Sequence, residues 1–359
     1  MSSAWAQKII SVSNSTDQNR KELISIPFDK FSTHFSVDTV FTIKDKSSGE
    51  VYLHQIEKLG ENSPKNVLIQ VPINPNSKLE LVVSPDKSPN YTSKTYARYV
   101  PERFDDFAWE NDVVAFRIYG KALEGRKDDA QGMDYWAKRT NNLVIDKWYK
   151  TDDYHKDHGE GLDYYSVGQT LGLGDLAILQ EDKIQFTQHY REFKVLDNGP
   201  LRSTFTLVYP SQNIHGEQIS LTKTITLDAG SNFNKIVVDF NNENNNKTKI
   251  AIGLVRRGEE NPEFEYNKKN NSLAYFEPNI NDSGRTATAV VLKNQKADFT
   301  DKDSKQFIFK TTIQNNQPFT YYNGAAWDRA GKIQNFDTWK DVVKNFSLSI
   351  NKPLKVNLK

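Results

Sequence analysis

The segment 151–165 is the part of the sequence with the highest density of groups that can transfer protons. It contains His155 and His158, two of the six histidines of the chain, followed by Tyr164. An imidazole titrates near neutral pH and can serve as a general base or a general acid, and a phenol beside a cation can also exchange a proton. The other polar or aromatic residues of this segment are Asp152, Asp153, Tyr154, Asp157, Glu160, Asp163 and Tyr165. These residue types allow acid–base chemistry.

Three interpretations of this segment remain open. Charge runs often form a solvated surface loop with no further role. Alternatively, His155 and His158 act in acid–base catalysis, or they hold a metal ion together with nearby carboxylates. Two histidines three positions apart suit a turn of a helix, whereas Gly159 and Gly161 favour a loop, so the metal site is the least favoured of the three. We therefore expect no metal and no other cofactor.

A second group of charged and aromatic residues lies between positions 102 and 112. It is either a salt-bridged entry to a strand or a sugar subsite. In a subsite, Trp109 would offer a flat face to the ring, Arg103 would bind a carboxylate or sulfate through both of its outer nitrogens, and Glu110 would accept from hydroxyls. The strand that follows places Arg117 opposite its apolar side chains, facing solvent or a cleft.

The remaining histidines and arginines carry weaker signals. His189 stands alone in a predicted strand over 187–191, where a structural role is more common. Arg256 and Arg257 follow an apolar strand and could hold an anion, although an exposed strand end is the simpler interpretation. Three histidines are predicted at the surface: His34, His54 and His215.

Composition excludes several classes of protein. The 359 residues carry a formal net charge of only +1, which argues against a general nucleic-acid binder. No cysteine is present, so disulfides and thiolate chemistry are excluded. No apolar run is long enough to span a membrane, and residues 1–8 lack the basic and apolar regions of a signal peptide. Dinucleotide-binding, P-loop and nucleophile-elbow patterns are missing as well.

The predicted fold is mainly β. Residues 1–96 read as short alternating strands of a small N-terminal β-sandwich. Residues 97–359 contain longer strands that predict a large antiparallel supersandwich, with sheets packed face to face and one face forming a cleft. A helical and loop insertion is expected near 130–165, with its helix over 132–150. A short late helix is predicted over 339–346.

Several long strings of the sequence resemble a domain family that is common in the polysaccharide-utilisation loci of carbohydrate-degrading bacteria and includes the ulvan oligosaccharide dehydratase. The strings are Tyr99–Asp112, Ala115–Gly120, Val144–Tyr149, Tyr154–Tyr165 and Asn323–Asp328. The C-terminal strands also look like the sandwich of galactose-mutarotase-like and polysaccharide-lyase domains. The resemblance implies a dehydratase that removes water from a uronic acid at the non-reducing end of a sulfated oligosaccharide, leaving a 4,5-unsaturated uronic acid.

Candidate roles follow from this implied reaction. A base must take the C5 proton once the neighbouring carboxylate is neutralised, and an acid must protonate the C4 hydroxyl that leaves. Our hypothesis is that His155 or His158 is the base, and that Tyr164 or the other histidine is the acid. The substrate would be bound by a set of arginine, aromatic and polar side chains, namely Arg103, Trp109, Glu110, Arg117, Trp136, Arg139 and His189. Trp109 or Trp136 would stack on the ring.

Other functions remain open at this point. A lyase that eliminates a sugar instead of water would share the base and the carboxylate clamp. A glycoside hydrolase would need two carboxylates, for which Glu110 and Glu160 are candidates. A non-catalytic module that binds acidic glycans would use the same arginines and aromatic rings. The expected partner is an acidic sulfated oligosaccharide, with no nucleic acid, membrane insertion or protein partner, and the expected location is periplasmic or secreted.

Overall fold

The computed structural model describes residues 7–151, 153–293 and 295–359, and these residues are mainly in β-strands. Asp152 and residues 1–6, which entered the sequence argument, lie outside the described residues. The first elements of the chain are β1 (Ile9–Ser13), β2 (Arg20–Pro27), α1 (Phe28–Phe35), β3 (Thr42–Asp45), β4 (His54–Glu57), β5 (Asn66–Ile73) and β6 (Lys78–Ser84).

These strands form the N-terminal sandwich, in which one sheet has the order β2-β5-β4 and faces a second sheet built on β1, β6 and β3. Alternate residues point inwards, as Ile10 and Val12 of β1 do, and together they fill a separate hydrophobic core. The last strand of the chain, β25 (Lys355–Leu358), pairs antiparallel with β1. The C-terminus therefore completes the N-terminal sandwich, although the sequence division placed all of 97–359 in the second unit.

The next elements form the cover sheet, which has the order β11-β10-β9-β8-β7. They are β7 (Thr95–Val100), β8 (Asp106–Asn111), β9 (Ala115–Ile118), β10 (Met133–Lys138), α2 (Ile145–Thr151) and β11 (Gly161–Leu162), with a short 3₁₀ turn at Lys121–Leu123. The predicted helix over 132–150 is thus wrong in its first half. The spacing of the apolar residues fits the period of a helix as well as that of a strand. Because β10 pairs with β9 and all of its residues are buried, tertiary pairing decides for the strand.

Two further sheets complete the supersandwich. Their strands are β12 (Leu173–Gln180), β13 (Lys183–Gln185), β14 (Glu192–Asn198), β15 (Arg202–Ile214), β16 (Glu217–Asp228), β17 (Phe233–Asn242), β18 (Lys247–Val255), β19 (Glu263–Asn267), β20 (Ser272–Phe276), β21 (Thr286–Val291), β22 (Asp298–Thr300), β23 (Gln306–Gln314) and β24 (Phe319–Trp327). The inner sheet has the order β13-β12-β18-β23-β22, and the large sheet has the order β14-β15-β16-β17-β24-β21-β20-β19.

The cover, inner and large sheets share one hydrophobic core. Neighbouring strands are antiparallel throughout these sheets, which confirms the predicted fold class. The opposite face of the large sheet is partly covered by α3 (Phe336–Asn351), whose Trp339 and Val343 pack on it, so the predicted late helix is confirmed and is longer than expected. A second 3₁₀ turn lies at Asp328–Ala330. Within the described residues, no helix is both long enough and apolar enough to cross a membrane.

Candidate active site

The residues 153–165 form a loop that is attached to the cover sheet. The main-chain N–H of Asp163 donates to the carbonyl of Tyr154 at 2.8 Å, and β11 pairs antiparallel with the end of β10. Gly161 in β11 has a φ of +127°, and a Cβ at this position would lie 1.9 Å from the carbonyl oxygen of Ala137. Only glycine permits this close pairing, so the sequence fixes the loop on the edge of the sheet.

His155 is the exposed member of this loop with the strongest geometry for proton transfer. Its Nδ1 lies 2.9 Å from the main-chain oxygen of Asp163, which is a hydrogen bond when Nδ1 carries the proton. That tautomer leaves Nε2 as an acceptor, for which the described residues provide no partner. The side chain is 62% exposed, and its ring packs against Tyr154, whose hydroxyl accepts from Arg103 Nε at 2.8 Å. His155 is therefore oriented and also open to a ligand.

His158 has a different environment. Its Nε2 lies 2.9 Å from Asp153 Oδ2, and both side chains are more than half exposed. An exposed pair of this kind contributes little and is screened by solvent. Of the two histidines that the sequence nominates, the structure favours His155.

A buried ionic cluster lies directly beneath His155. Arg117 donates from Nε to Asp134 Oδ2 at 2.9 Å and from Nη2 to Asp163 Oδ2 at 3.0 Å, and its Nη1 lies 3.6 Å from Asp106 Oδ2. The predicted solvent or cleft position of Arg117 is wrong. The face of the cover sheet that carries Arg117 is buried, like the opposite face. Because internal carboxylates already bind its guanidinium, Arg117 cannot clamp a substrate.

Two carboxyls of this cluster, Asp106 and Asp163, have raised pKa values. Burial raises the pKa of Asp106 to about 7, because the lost hydration outweighs the attraction of Arg117. Burial and the nearby charge of Asp134 raise the pKa of Asp163 to about 8. Asp163 Oδ2 lies 3.7 Å from His155 Nδ1, so the cluster is adjacent to the imidazole.

A second cluster, which the sequence interpretation missed, is built around Arg257. Its Nη1 donates to the carbonyl of Ser166 at 2.6 Å, and its Nη2 lies 3.0 Å from Glu277 Oε1. The guanidinium carbon is 4.6 Å from the centre of the Tyr165 ring. Burial raises the pKa of Glu277 to about 7, against the lowering effect of Arg257. The paired arginines at the end of an apolar strand were the available signal, but the simpler interpretation as an exposed strand end was preferred.

Tyr164 lies between the two clusters in the chain and is half-buried. Its hydroxyl accepts from Thr286 Oγ1 at 2.7 Å, and burial raises its pKa above the usual range of a phenol. The Tyr164 ring centre is 6.3 Å from that of Trp327, and the guanidinium of Arg139 lies 5.4 Å from the same indole. Arg139 also pairs with Asp157 at 2.6 Å. Tyr164 and Arg139 therefore flank one aromatic ring.

Two predicted sugar-stacking residues are buried in hydrophobic cores. Trp109 is 0% exposed and donates from Nε1 to Asn234 Oδ1 at 2.8 Å. Trp136 is 1% exposed and stacks on Trp148, with ring centres 5.4 Å apart. Neither indole presents a face to a ligand, so the prediction that one of them stacks on a sugar ring is wrong.

Glu110 is also an internal structural residue. It accepts from Lys138 Nζ at 2.6 Å, and both side chains are fully buried. Its other oxygen accepts from the main-chain N–H groups of Val144 and Ile145, at the start of α2. The expectation that Glu110 binds a sugar hydroxyl is wrong, because all of these contacts are internal.

His189 lies between β13 and β14, not within the predicted strand. Its Nε2 is 2.9 Å from Asp129 Oδ1 and its side chain is 5% exposed, which agrees with a structural role and does not support substrate binding. His54 was predicted at the surface, yet it is buried and stacks on Phe41, with ring centres 4.6 Å apart. The presence of a histidine in the sequence does not tell whether its side chain is buried, because a neutral imidazole can pack as an aromatic ring.

Comparison with known proteins places the chain in a family. The family described as "Domain of unknown function (DUF4861)" matches residues 12–356. The chain belongs to this family. It is also 30% identical over 377 aligned positions to "Uncharacterized protein P7" of Formosa agariphila, covering 98% of this chain and 93% of that protein. Membership in DUF4861 thus covers nearly the whole chain and carries no assigned activity.

Two solved structures were compared with this DUF4861 protein, and one of them supports its fold. A protein in the glycosyl hydrolase family 38 from Enterococcus faecalis superposes with a TM-score of 0.52 at 10% identity, over 98% of this chain and 47% of that one. An α-mannosidase from Enterococcus faecalis V583 gives a TM-score of 0.46 at 8% identity, over 98% of this chain and 46% of that one. The chain spans about half the length of these structures, and the first likeness shows the β-sandwich fold alone.

The loop of this DUF4861 protein carries an oriented imidazole, His155, and a half-buried phenol, Tyr164, and it is contacted by the guanidinium groups of Arg103 and Arg139. Among the described residues, no group of three or more histidine, aspartate or glutamate side chains is arranged to hold a metal ion. Arg103 and Arg139 are partly exposed, and an anion that binds Arg139 would compete with its ion pair to Asp157. Such an arrangement can bind an acidic group, remove a proton beside it and deliver another proton to a leaving group.

Proposed function

We propose that the protein is a hydro-lyase that removes water from the uronic acid at the non-reducing end of ulvan-type sulfated oligosaccharides. The product would be a 4,5-unsaturated uronic acid. The observation that carries this proposal is His155, whose Nδ1 is held by the carbonyl of Asp163 while the side chain is 62% exposed and Nε2 has no partner among the described residues. An imidazole nitrogen that is free to accept can remove a proton next to a carboxylate that a guanidinium has neutralised.

The proposed reaction is a β-elimination. His155 Nε2 takes the proton from C5, the C5–H electron pair forms the C4–C5 double bond, and the C4–O bond breaks. Tyr164 gives its proton to the departing hydroxyl, which leaves as water. The phenol of Tyr164 carries its proton at neutral pH, and burial raises its pKa further above neutrality. The proton on His155 then returns to Tyr164 through solvent, which restores both groups.

Neutralisation of the substrate carboxylate is assigned to Arg103 or Arg139. Both are partly exposed, and Arg103 is joined to His155 through the hydroxyl and ring of Tyr154. A guanidinium can bind both oxygens of a carboxylate, which lowers the energy of the dianionic intermediate formed at C5. Arg117 is left out of this role because its nitrogens face internal carboxylates.

The test uses saturated uronic-acid-terminated sulfated oligosaccharides as substrates. The expected result is a rise in the ultraviolet absorbance of the conjugated product, together with the loss of one water in its mass. Two smaller fragments in the mass spectrum would indicate a lyase that expels a sugar. Binding without any change in mass would indicate a glycan-binding module instead. Either of these results would overturn the proposal.

Single variants separate the two histidines. His155→Ala should reduce turnover at least about a thousandfold, the upper part of the range for loss of a general base. His158→Ala is the matched control, since its imidazole faces only the exposed Asp153, and it should keep most of the activity. Equal losses in both variants would contradict the assignment of the base to His155.

A location in the periplasm or outside the cell is part of the same proposal. Large sulfated oligosaccharides are highly charged, and an enzyme that acts on them would meet them before they enter the cytoplasm. Cell fractionation with an antibody against the protein tests this location, and recovery in the cytoplasmic fraction alone would contradict it.

A further inference from the structure

A groove of about 420 Å³ lies where the N-terminal sandwich, the outer face of the large sheet and α3 meet. Its volume falls within the range of small-molecule sites, roughly 300–1,000 Å³, and such sites often form between structural units. Tyr322 of β24 lines the groove, whereas Trp327 of the same strand packs in the core on the other face of the sheet. The groove is therefore separate from the candidate active site.

The walls of the groove are held in place by contacts between the surrounding units. Arg20, at the start of β2, donates from Nη1 to the carbonyl of Lys352 at 2.7 Å, just after the end of α3. Phe233 of β17 stacks on Phe346 of α3, with ring centres 3.9 Å apart and planes 6° from parallel. A groove with walls joined in this way is largely formed before any ligand arrives, which lowers the cost of binding.

Three side chains form a row across the floor of the groove. Thr226 of β16 is opposite Lys235 of β17, and Lys235 is opposite Tyr322 of β24. Neighbouring strands lie about 4.8 Å apart, so a hydroxyl, an ammonium and a phenol ring stand side by side over a distance of about 10 Å. This distance suits a single sugar ring with its substituents.

The ammonium of Lys235 lacks a carboxylate partner within the described part of the chain. The nearby Arg202, in contrast, is engaged by Asp228 at 2.6 Å and by Glu57 at 3.2 Å. Burial of part of the side chain, and then the charge of Arg202, lower the pKa of Lys235, whereas the carboxylates of Asp228 and Glu57 act in the opposite direction. Lys235 is thus the cation of the groove that an anionic ligand would pair with.

We propose that this groove is a second binding site, which takes a pyranose ring carrying a sulfate or carboxylate group. The anion would pair with Lys235, the ring would lie against Tyr322, and a ring hydroxyl would bond to Thr226. Aromatic side chains offer apolar faces of this kind while their polar ends stay hydrated. The inference does not depend on the proposed elimination, since it concerns binding at the opposite face of the large sheet.

The test is a binding titration of the full chain by calorimetry and ligand-observed NMR. The probes are glucose 6-sulfate and glucuronate, with glucose and sodium sulfate as controls for the ring alone and the anion alone. Both acidic sugars should bind, and each control should bind at least about tenfold more weakly, because a hydrogen bond to a charged group and a ring contact both contribute.

Variants locate the binding. Lys235→Met should weaken binding of glucose 6-sulfate about tenfold, whereas Lys235→Arg should retain it. Lys247→Met, on the exposed side of β18 and not part of the groove, is the matched control and should bind normally. Tyr322→Leu should weaken binding of the sugar while the control variant does not.

Three results would overturn the site: no binding of either acidic sugar, equal binding of sulfate and glucose 6-sulfate, or unchanged binding in Lys235→Met. The outcome is also separable from the proposed reaction. His155→Ala should bind glucose 6-sulfate normally in the groove even if its turnover is lost, and groove binding without any dehydratase activity would support this site while the proposed function fails.

Discussion

Glu110→Gln removes one charge from a fully buried ion pair. The native carboxylate accepts from Lys138 Nζ at 2.6 Å and from the main-chain N–H groups of Val144 and Ile145 at 2.7 and 2.8 Å. Glutamine preserves the shape but leaves the Lys138 ammonium buried without its counter-charge. Loss of one partner from a buried pair costs about 3–5 kcal/mol, so we expect a decrease of that size in the free energy of unfolding.

Glu160→Gln is the matched comparison, since the sequence offers Glu110 and Glu160 together as the two carboxylates of a glycoside hydrolase. Glu160 pairs with Lys147 at 2.6 Å, but the lysine side chain is 64% exposed. Exposed pairs contribute about 0.2–1 kcal/mol, so the change in stability should stay below about 1 kcal/mol. The variants Glu110→Gln and Glu160→Gln should therefore differ strongly in their free energy of unfolding, and neither should lower the activity of the folded protein directly.

The assay is urea unfolding followed by tryptophan fluorescence, with activity measured on the folded fraction. The double variant Glu110→Gln with Lys138→Met removes the isolated charge and should recover more than half of the lost stability, because a buried pair can be replaced by apolar groups at little cost. Glu110→Gln that unfolds like the wild type yet has lost its activity would refute the structural role and restore Glu110 as a hydrolase carboxylate.

Three further outcomes are expected. Glu277 has a folded-state pKa raised from 4.5 to about 7, so its contribution of about 3 kcal/mol to the free energy of unfolding is present below pH 4.5 and is lost as the pH rises through 7. Glu277→Gln should therefore reduce the dependence of the free energy of unfolding on pH in this range. The same pH dependence in the variant and the wild type would contradict this. Gly161→Ala should displace the loop and reduce turnover at least about tenfold, because its Cβ would meet the Ala137 carbonyl at 1.9 Å. Gly159→Ala is the control for backbone strain alone, since Gly159 also has a positive φ (+99°) but has nothing within 4 Å of its Cβ, and it should lose less activity than Gly161→Ala. Trp109→Ala should lower the free energy of unfolding by about 3–5 kcal/mol, measured by thermal unfolding, and should leave the affinity of the folded fraction for the acidic oligosaccharide unchanged. A loss of affinity without a loss of stability would instead support the prediction that Trp109 stacks on the sugar.

The candidate site could be predicted only in part. The loop 153–165 was recognisable from its turn residues and histidines, and His155 is indeed exposed there. The sequence did not show that His155 and His158 differ, because the difference depends on the hydrogen-bond partner of each ring in the folded protein. Arg117 illustrates the same limit. The alternation of the strand correctly placed Arg117 and Phe116 on opposite faces of the sheet, but other segments decide whether the face with Arg117 meets water or carboxylates.

The sequence by itself determined most of the local structure of this protein, with the exception of β10, where pairing with β9 decided for a strand. Alternating apolar residues specify the strands because successive side chains of a strand point to opposite faces, and the apolar spacing around Trp339 specifies α3. Tertiary structure decided which segments meet. Arg117 reaches Asp134 and Asp163, which lie 17 and 46 positions away, and β25 returns to β1 across the whole chain. These contacts depend on the complementarity of distant surfaces, and no local period in the sequence contains that information.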